Sequence, residues 1–173
     1  IYTLSLHDAL PIYQPDMGVV LYRIDDRLIH GQVMTAWSKV YKSTNIICID
    51  DETAKNEMLC SIMKMAVPSD YEVQILTMED AIQAIKAEPE RTRTIVLAKT
   101  PGTMLNLAKS GVEIKELNVG NMGQGANRKP IMRSTQVSPE ELDQLKELQR
   151  MGTRVYLQVF PDEKAVNLDN LKF

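Results

Sequence analysis

Between positions 23 and 30 the chain reads Arg-Ile-Asp-Asp-Arg-Leu-Ile-His, followed by Gly31 and Gln32. Two guanidinium groups, two carboxylates and an imidazole so close together suit phosphoryl transfer. A neutral imidazole is a nucleophile, and an arginine can hold phosphate oxygens in bidentate fashion. Asp25 or Asp26 can fix the tautomer of His30 or the position of Arg27. The preceding run VVLYRI (19–24) is β-branched, and helical spacing begins near residue 31. His30 thus stands where a strand turns into a helix. Unpaired N–H groups and the positive end of the dipole there disfavour an imidazolium and stabilise an attached phosphoryl group. The plainer alternative is an incidental histidine in a solvated loop, and the charged neighbours argue against it.

The elements that must hold these residues alternate along the chain. Strand-like runs lie at 19–24, 45–49, 72–76, 94–98, 116–120 and 154–160, with helical stretches near 31–41, 52–66, 78–88, 102–110 and 138–151. NIICI (45–49) and TIVLA (94–98) are apolar on both faces, as strands covered by helices on each side must be. Ser138-Pro139-Glu140-Glu141 supplies an N-cap, a proline at the first helical position and acids in the first turn. Leu142, Leu145, Leu148 and Met151 follow at helical spacing. Repeated β–α units predict a single α/β domain: a mostly parallel, twisted sheet of about six or seven strands with helices on both faces.

In such a sheet, chemistry gathers at the carboxyl ends of the strands. Lys99 and Thr100, after TIVLA, either place an ammonium and a hydroxyl near a phosphate or leave Thr100 capping a helix that opens with Pro101. Asn118-Val119-Gly120-Asn121-Met122-Gly123-Gln124-Gly125 offers flexible backbone to a phosphate. It lacks the Walker ending and the GxGxxG register, so nucleotide binding is unsupported. Asp50-Asp51 can bind a cation or position the loop, but reads better as a helix cap. Arg128-Lys129 reads as an ordinary charged loop, and Met58, Met63, Met65 and Trp37 as packing residues. Cys48, inside an apolar strand, reads as an inert buried thiol. With His30 the only histidine besides His7, and Cys48 and Cys60 well separated, no metal site is implied.

Four segments occur in order: RIDDRLIHGQV (23–33), CIDDETAKNE (48–57), LAKTP (97–101) and LNVGNMG (117–123). With them, residues 17–173 resemble the IIB component of the mannose/fructose/sorbose family of the phosphoenolpyruvate-dependent sugar phosphotransferase system. The resemblance implies that a IIA protein phosphorylates His30 at Nδ1. The phosphoryl group then passes to a sugar carried by membrane IIC and IID subunits. It makes Arg27 and Asp25 the organisers of the active loop. Arg23, Gly31, Gln32, Lys99, Thr100, Asn118, Gly120 and Asn121 are then the expected substrate contacts. No cofactor is implied. The implied location is cytoplasmic, at the inner face of a bacterial membrane through the transporter. The sugar is not legible in a IIB chain, and a homodimer is left open.

Composition agrees with this class. The chain has 173 residues, is 44% hydrophobic and 25% charged, and carries a formal net charge of −3. Those values argue against a disordered, fibrous or membrane-spanning protein and give no electrostatic reason to expect nucleic acid. Two cysteines without a CxxC spacing suit a reducing compartment. Residues 1–16, IYTLSLHDALPIYQPD, show no clean periodicity and no basic signal-peptide region. Tyr2 to Ile12 resembles the conceptual translation of a sequencing adapter. The segment is therefore read as a non-native extension, with Met17 the natural start. The rival from another class is a receiver-like signalling domain phosphorylated on aspartate. It fails on spacing, because EVQIL (72–76) runs into Thr77-Met78-Glu79 rather than a lone acceptor aspartate.

Overall fold

A computed structural model describes residues 18–171, so the reading of 1–16 as an extension lies outside the described residues. The order is β1 (Val19–Asp25), a π-helical segment (Val33–Trp37) running into α1 (Ser38–Tyr41), β2 (Asn45–Ile49), α2 (Asp51–Ala54), α3 (Glu57–Met65), β3 (Glu72–Leu76) and α4 (Met78–Ala87). There follow β4 (Thr94–Ala98), α5 (Pro101–Lys109), β5 (Glu116–Asn121), β6 (Lys129–Met132), β7 (Thr135–Val137), α6 (Pro139–Arg150), β8 (Arg154–Leu157) and β9 (Val166–Asn167). Seven strands form one sheet in the order β3-β2-β4-β1-β5-β8-β9. Every neighbouring pair is parallel except β8 with β9. The expected mostly parallel α/β sheet is therefore present.

Two apolar layers cover it. Val33, Met34 and Trp37 pack with Leu21, Leu28, Ile46, Cys48 and Leu97 on one face. Ala81 and Ile85 of α4, Met104 and Leu107 of α5, and Leu145 and Leu148 of α6 cover the other, against Ile24, Ile47 and Val96. The adjacent strands β1 and β4 thus send their following helices to opposite faces. In doubly wound sheets ligands bind at such a reversal, outside the carboxyl ends of the strands, and His30 lies just beyond the end of β1.

Three boundaries differ from expectation. The helix expected over 52–66 is two helices, because Asn56 adopts extended backbone and its side chain accepts from Leu59 N. The strand expected over 154–160 stops at Leu157. Beyond it the Gln158 amide donates to the carbonyls of Pro161 and Glu163, which curls the chain into a loop. A small antiparallel pair, β6 with β7, occupies a stretch with no predicted element. Among the described residues, no helix is long and apolar enough to cross a membrane.

Candidate active site

The site begins with strand periodicity. Residues 21, 23 and 25 of β1 share a face, and Leu21 joins the core layer beside Trp37. Arg23 and Asp25, both with fully buried side chains, follow on that face. The chain then turns, with Leu28 N donating to Asp25 O at 3.0 Å. Leu28 takes a left-handed backbone (φ 55°), which costs roughly 1–2 kcal/mol for a residue with a Cβ. Its side chain is only 2% exposed, and burying a leucine contributes about 2 kcal/mol. The two effects nearly cancel, so an apolar anchor pins the middle of the active loop. The His30 carbonyl then accepts the first helical hydrogen bond, from Met34 N at 3.2 Å.

Asp25 is the centre of the cluster. Its Oδ2 accepts from Arg23 Nη2 at 2.9 Å and from Arg27 Nη2 at 3.2 Å, and lies 3.0 Å from His30 Nε2. Its Oδ1 accepts from the backbone N and the Nε of Arg27, at 3.2 and 3.1 Å. Burial alone would raise the pKa of this carboxyl. Hydrogen bonds from His30 and Arg27 and the charge of Arg23 outweigh that and hold it well below the usual carboxylate range. Asp25 is therefore an ionised, acceptor-only group. The hydrogen shared with His30 must sit on Nε2, which leaves the lone pair on Nδ1. The imidazole is 17% exposed, so the ring is held but reachable.

The two aspartates separate in role. Asp26 turns away from His30: its Oδ1 accepts from Asn121 Nδ2 at 2.6 Å and its Oδ2 from Gly123 N at 2.7 Å. It ties the loop to the end of β5. Arg27, 44% exposed, gives Nε and Nη2 to Asp25 and a further Nη2 contact to Gln32 Oε1 at 2.9 Å. The Nε–Nη2 edge is already used by Asp25, and Nη1 is the part of the guanidinium left for an incoming anion.

Beneath the loop, Arg23 donates to Asn118 Oδ1 and to Gln158 O, the latter at 3.1 Å, and its guanidinium lies 4.8 Å from the Trp37 ring. Gly120 makes room for it, because a Cβ at position 120 would fall inside that guanidinium. Gly120→Ala is accordingly expected to cost about 3 kcal/mol by overpacking, read as a lowered midpoint in urea. An unchanged midpoint would show that Arg23 can be seated elsewhere.

Of the positions expected to contact substrate, Arg23, Asn118, Gly120 and Asn121 thus form the frame under the loop. Gly31 is exposed, with nothing within 4 Å of where a Cβ would lie. Lys99 and Thr100 make their hydrogen bonds elsewhere: Lys99 Nζ donates to Asp50 at 2.7 Å, and Thr100 caps α5. Asp50 caps α2, as preferred from the sequence. Arg128 is paired with Glu141 of α6. Cys48 is fully buried; burial first, then the charge of Asp50, pushes its thiol far above the ordinary range.

Sequence reasoning missed three contributors: the carbonyl of Val159, the carbonyl of Gln158 and the indole N–H of Trp37. Val159 O accepts from Gln32 Nε2 at 2.8 Å, Trp37 Nε1 at 3.1 Å and Arg23 Nη2 at 3.4 Å. A backbone carbonyl carries no residue-type signal. The only available hint was a polar Gln158 inside the apolar run RVYLQVF.

Comparison with known proteins places the chain in a family. A family model described as the PTS system sorbose subfamily IIB component matches residues 19–173. The sorbose-specific EIIB component of Klebsiella pneumoniae is 31% identical over 153 residues, spanning 88% of this chain and 93% of that protein. The N-acetylgalactosamine-specific phosphotransferase enzyme IIB component 2 of Escherichia coli (strain K12) is 31% identical, spanning 89% and 98%. The crystal structure of the IIBSor domain of the Klebsiella pneumoniae sorbose permease superposes with a TM-score of 0.80 at 32% identity, covering 88% of this chain and 94% of that one.

Proposed function

The chain belongs to the sorbose subfamily of IIB components of the sugar phosphotransferase system, and on that premise we propose that it carries a phosphoryl group on Nδ1 of His30. The observation that supports this most is the 3.0 Å contact between His30 Nε2 and the ionised Asp25, which leaves Nδ1 as the nucleophilic nitrogen. A IIA phosphohistidine is the donor. Its N–P bond breaks as the Nδ1 lone pair forms the new one. Nε2 keeps its proton, so the phosphorylated ring is cationic and faces the Asp25 carboxylate. That charge makes the ring a good leaving group for onward transfer to a sugar hydroxyl: the O–P bond forms, the N–P pair returns to Nδ1, and the hydroxyl proton is released to solvent. Arg27 Nη1 and the helix start at 31 stabilise the charge on the transferring oxygens. The onward acceptor is a sugar held by membrane IIC and IID subunits, and the chain works on the cytoplasmic side.

A cysteine carrier is disfavoured. Cys48 has no exposed surface, and the Cys60 thiol donates to Thr53 O at 3.1 Å. The test is to incubate the protein with phosphoenolpyruvate, the general phosphotransferase proteins and a IIA protein. Intact mass and peptide mapping at alkaline pH then locate the label. One acid-labile phosphoryl group on His30, dependent on IIA, is expected. A label on Cys48, Cys60 or an aspartate would overturn the reading.

A further inference from the structure

We propose that Gln32 is a positioning residue for this transfer, orienting Arg27 and taking its own position from the loop that follows β8. The inference rests on the carrier reading above. Arg27 is a long side chain, nearly half exposed, sharing Asp25 Oδ2 with His30, and such a group keeps one position reproducibly only if its hydrogen-bonding edge is held on both sides. Asp25 takes Nε and one N–H of Nη2; Gln32 Oε1 takes the other Nη2 hydrogen at 2.9 Å. The opposite end of the same amide donates to Val159 O at 2.8 Å. Reversing the amide would set N–H against N–H and carbonyl against carbonyl, so its orientation is dictated by its two neighbours.

Val159 lies 127 positions away in sequence, and its carbonyl is located independently of Gln32 by Trp37 Nε1 at 3.1 Å and by Arg23 Nη2 at 3.4 Å. The path runs from the end of β8, through one carbonyl and one amide, to the guanidinium that faces the phosphoryl group. With Oε1 and one Nε2 hydrogen engaged, Gln32 has little left for a substrate. It therefore acts through Arg27 rather than as a catalytic residue.

The test compares wild type, Gln32→Met, Arg27→Ala and the double variant in phosphoryl transfer from a phosphorylated IIA protein. Methionine keeps the length and removes both hydrogen bonds. Gln32→Met is expected to slow transfer at saturating donor by about ten- to a hundred-fold, with the half-saturating donor concentration little changed. In the Arg27→Ala background the same substitution should change the rate less than about twofold, because residues acting as a unit are not additive. A readout independent of activity is the ¹⁵N spectrum of the Arg27 guanidinium. Distinct Nη signals in wild type should average in Gln32→Met. Wild-type rates in Gln32→Met, or a full multiplicative loss in the double variant, would overturn the positioning role while the carrier reading stands. Absence of any His30 label in wild type would overturn the carrier reading itself, and this inference with it.

Discussion

His30→Ala is expected to abolish phosphoryl acceptance, with a residual rate at least about a thousandfold below wild type, because the proposed covalent nucleophile is gone. The fold should survive. The imidazole is partly exposed, and its partner Asp25 keeps four hydrogen bonds from Arg23 and Arg27. A thermal melt close to wild type would confirm that the loss is chemical. Cys48→Ala and Cys60→Ser are the matched controls and should be labelled as wild type is. If His30→Ala still took up label from IIA at a comparable rate, the proposed site would be wrong. Magnetic resonance of the ¹⁵N-labelled phosphoprotein provides a finer check. The phosphorus should couple to Nδ1, since Asp25 occupies Nε2.

The second large effect is expected from Asp25→Asn, through two separate causes. The first is chemical. With Arg23 and Arg27 both donating to the Oδ2 position, an asparagine keeps its oxygen there and still accepts from Nε2, but it is neutral and no longer balances the cationic ring that forms on phosphorylation. Losing that counter-charge is expected to slow transfer by on the order of a hundredfold or more. The second cause is energetic. Arg23 is fully buried, and removing the counter-charge of a buried ion costs about 3–5 kcal/mol.

The pH dependence follows from the depressed pKa of Asp25. A carboxyl held below its unfolded value stabilises the native state fully above about pH 4 and loses that contribution as pH falls further toward the folded value. The gap in melting temperature between wild type and Asp25→Asn should therefore be widest near neutrality and shrink below about pH 4. A gap that stayed constant down to pH 2.5 would show that Asp25 does not hold its charge against the buried arginine.

The parts of this protein legible in one dimension are those governed by short separations. Arg23 and Asp25 share a face because strand side chains alternate, and Arg27 and His30 reach Asp25 from two and five positions away. His30, its carboxylate partner and the neighbouring cation all lie within a single strand–turn–helix. The parallel sheet was legible for a similar reason, since apolar strands alternating with amphipathic helices leave few other ways to bury both. The split of 52–66 into two helices was harder to see, because Asn56 breaks the helix by one side-chain contact.

Other features depended on what folding brought together. Adjacent in sequence and identical in type, Asp25 and Asp26 were interchangeable by residue type alone, and the structure separates them by tying the second to Asn121 and Gly123. The sequence by itself determined the fold class and singled out His30 as the proposed carrier, because both follow from local periodicity and residue type. Only the tertiary structure decided which nitrogen of His30 is free, which edge of Arg27 remains open and why position 120 is glycine. Those depend on directional contacts across the sheet, between groups as far apart as Arg23 and Val159, and the distance and angle of such contacts are not encoded in any one segment.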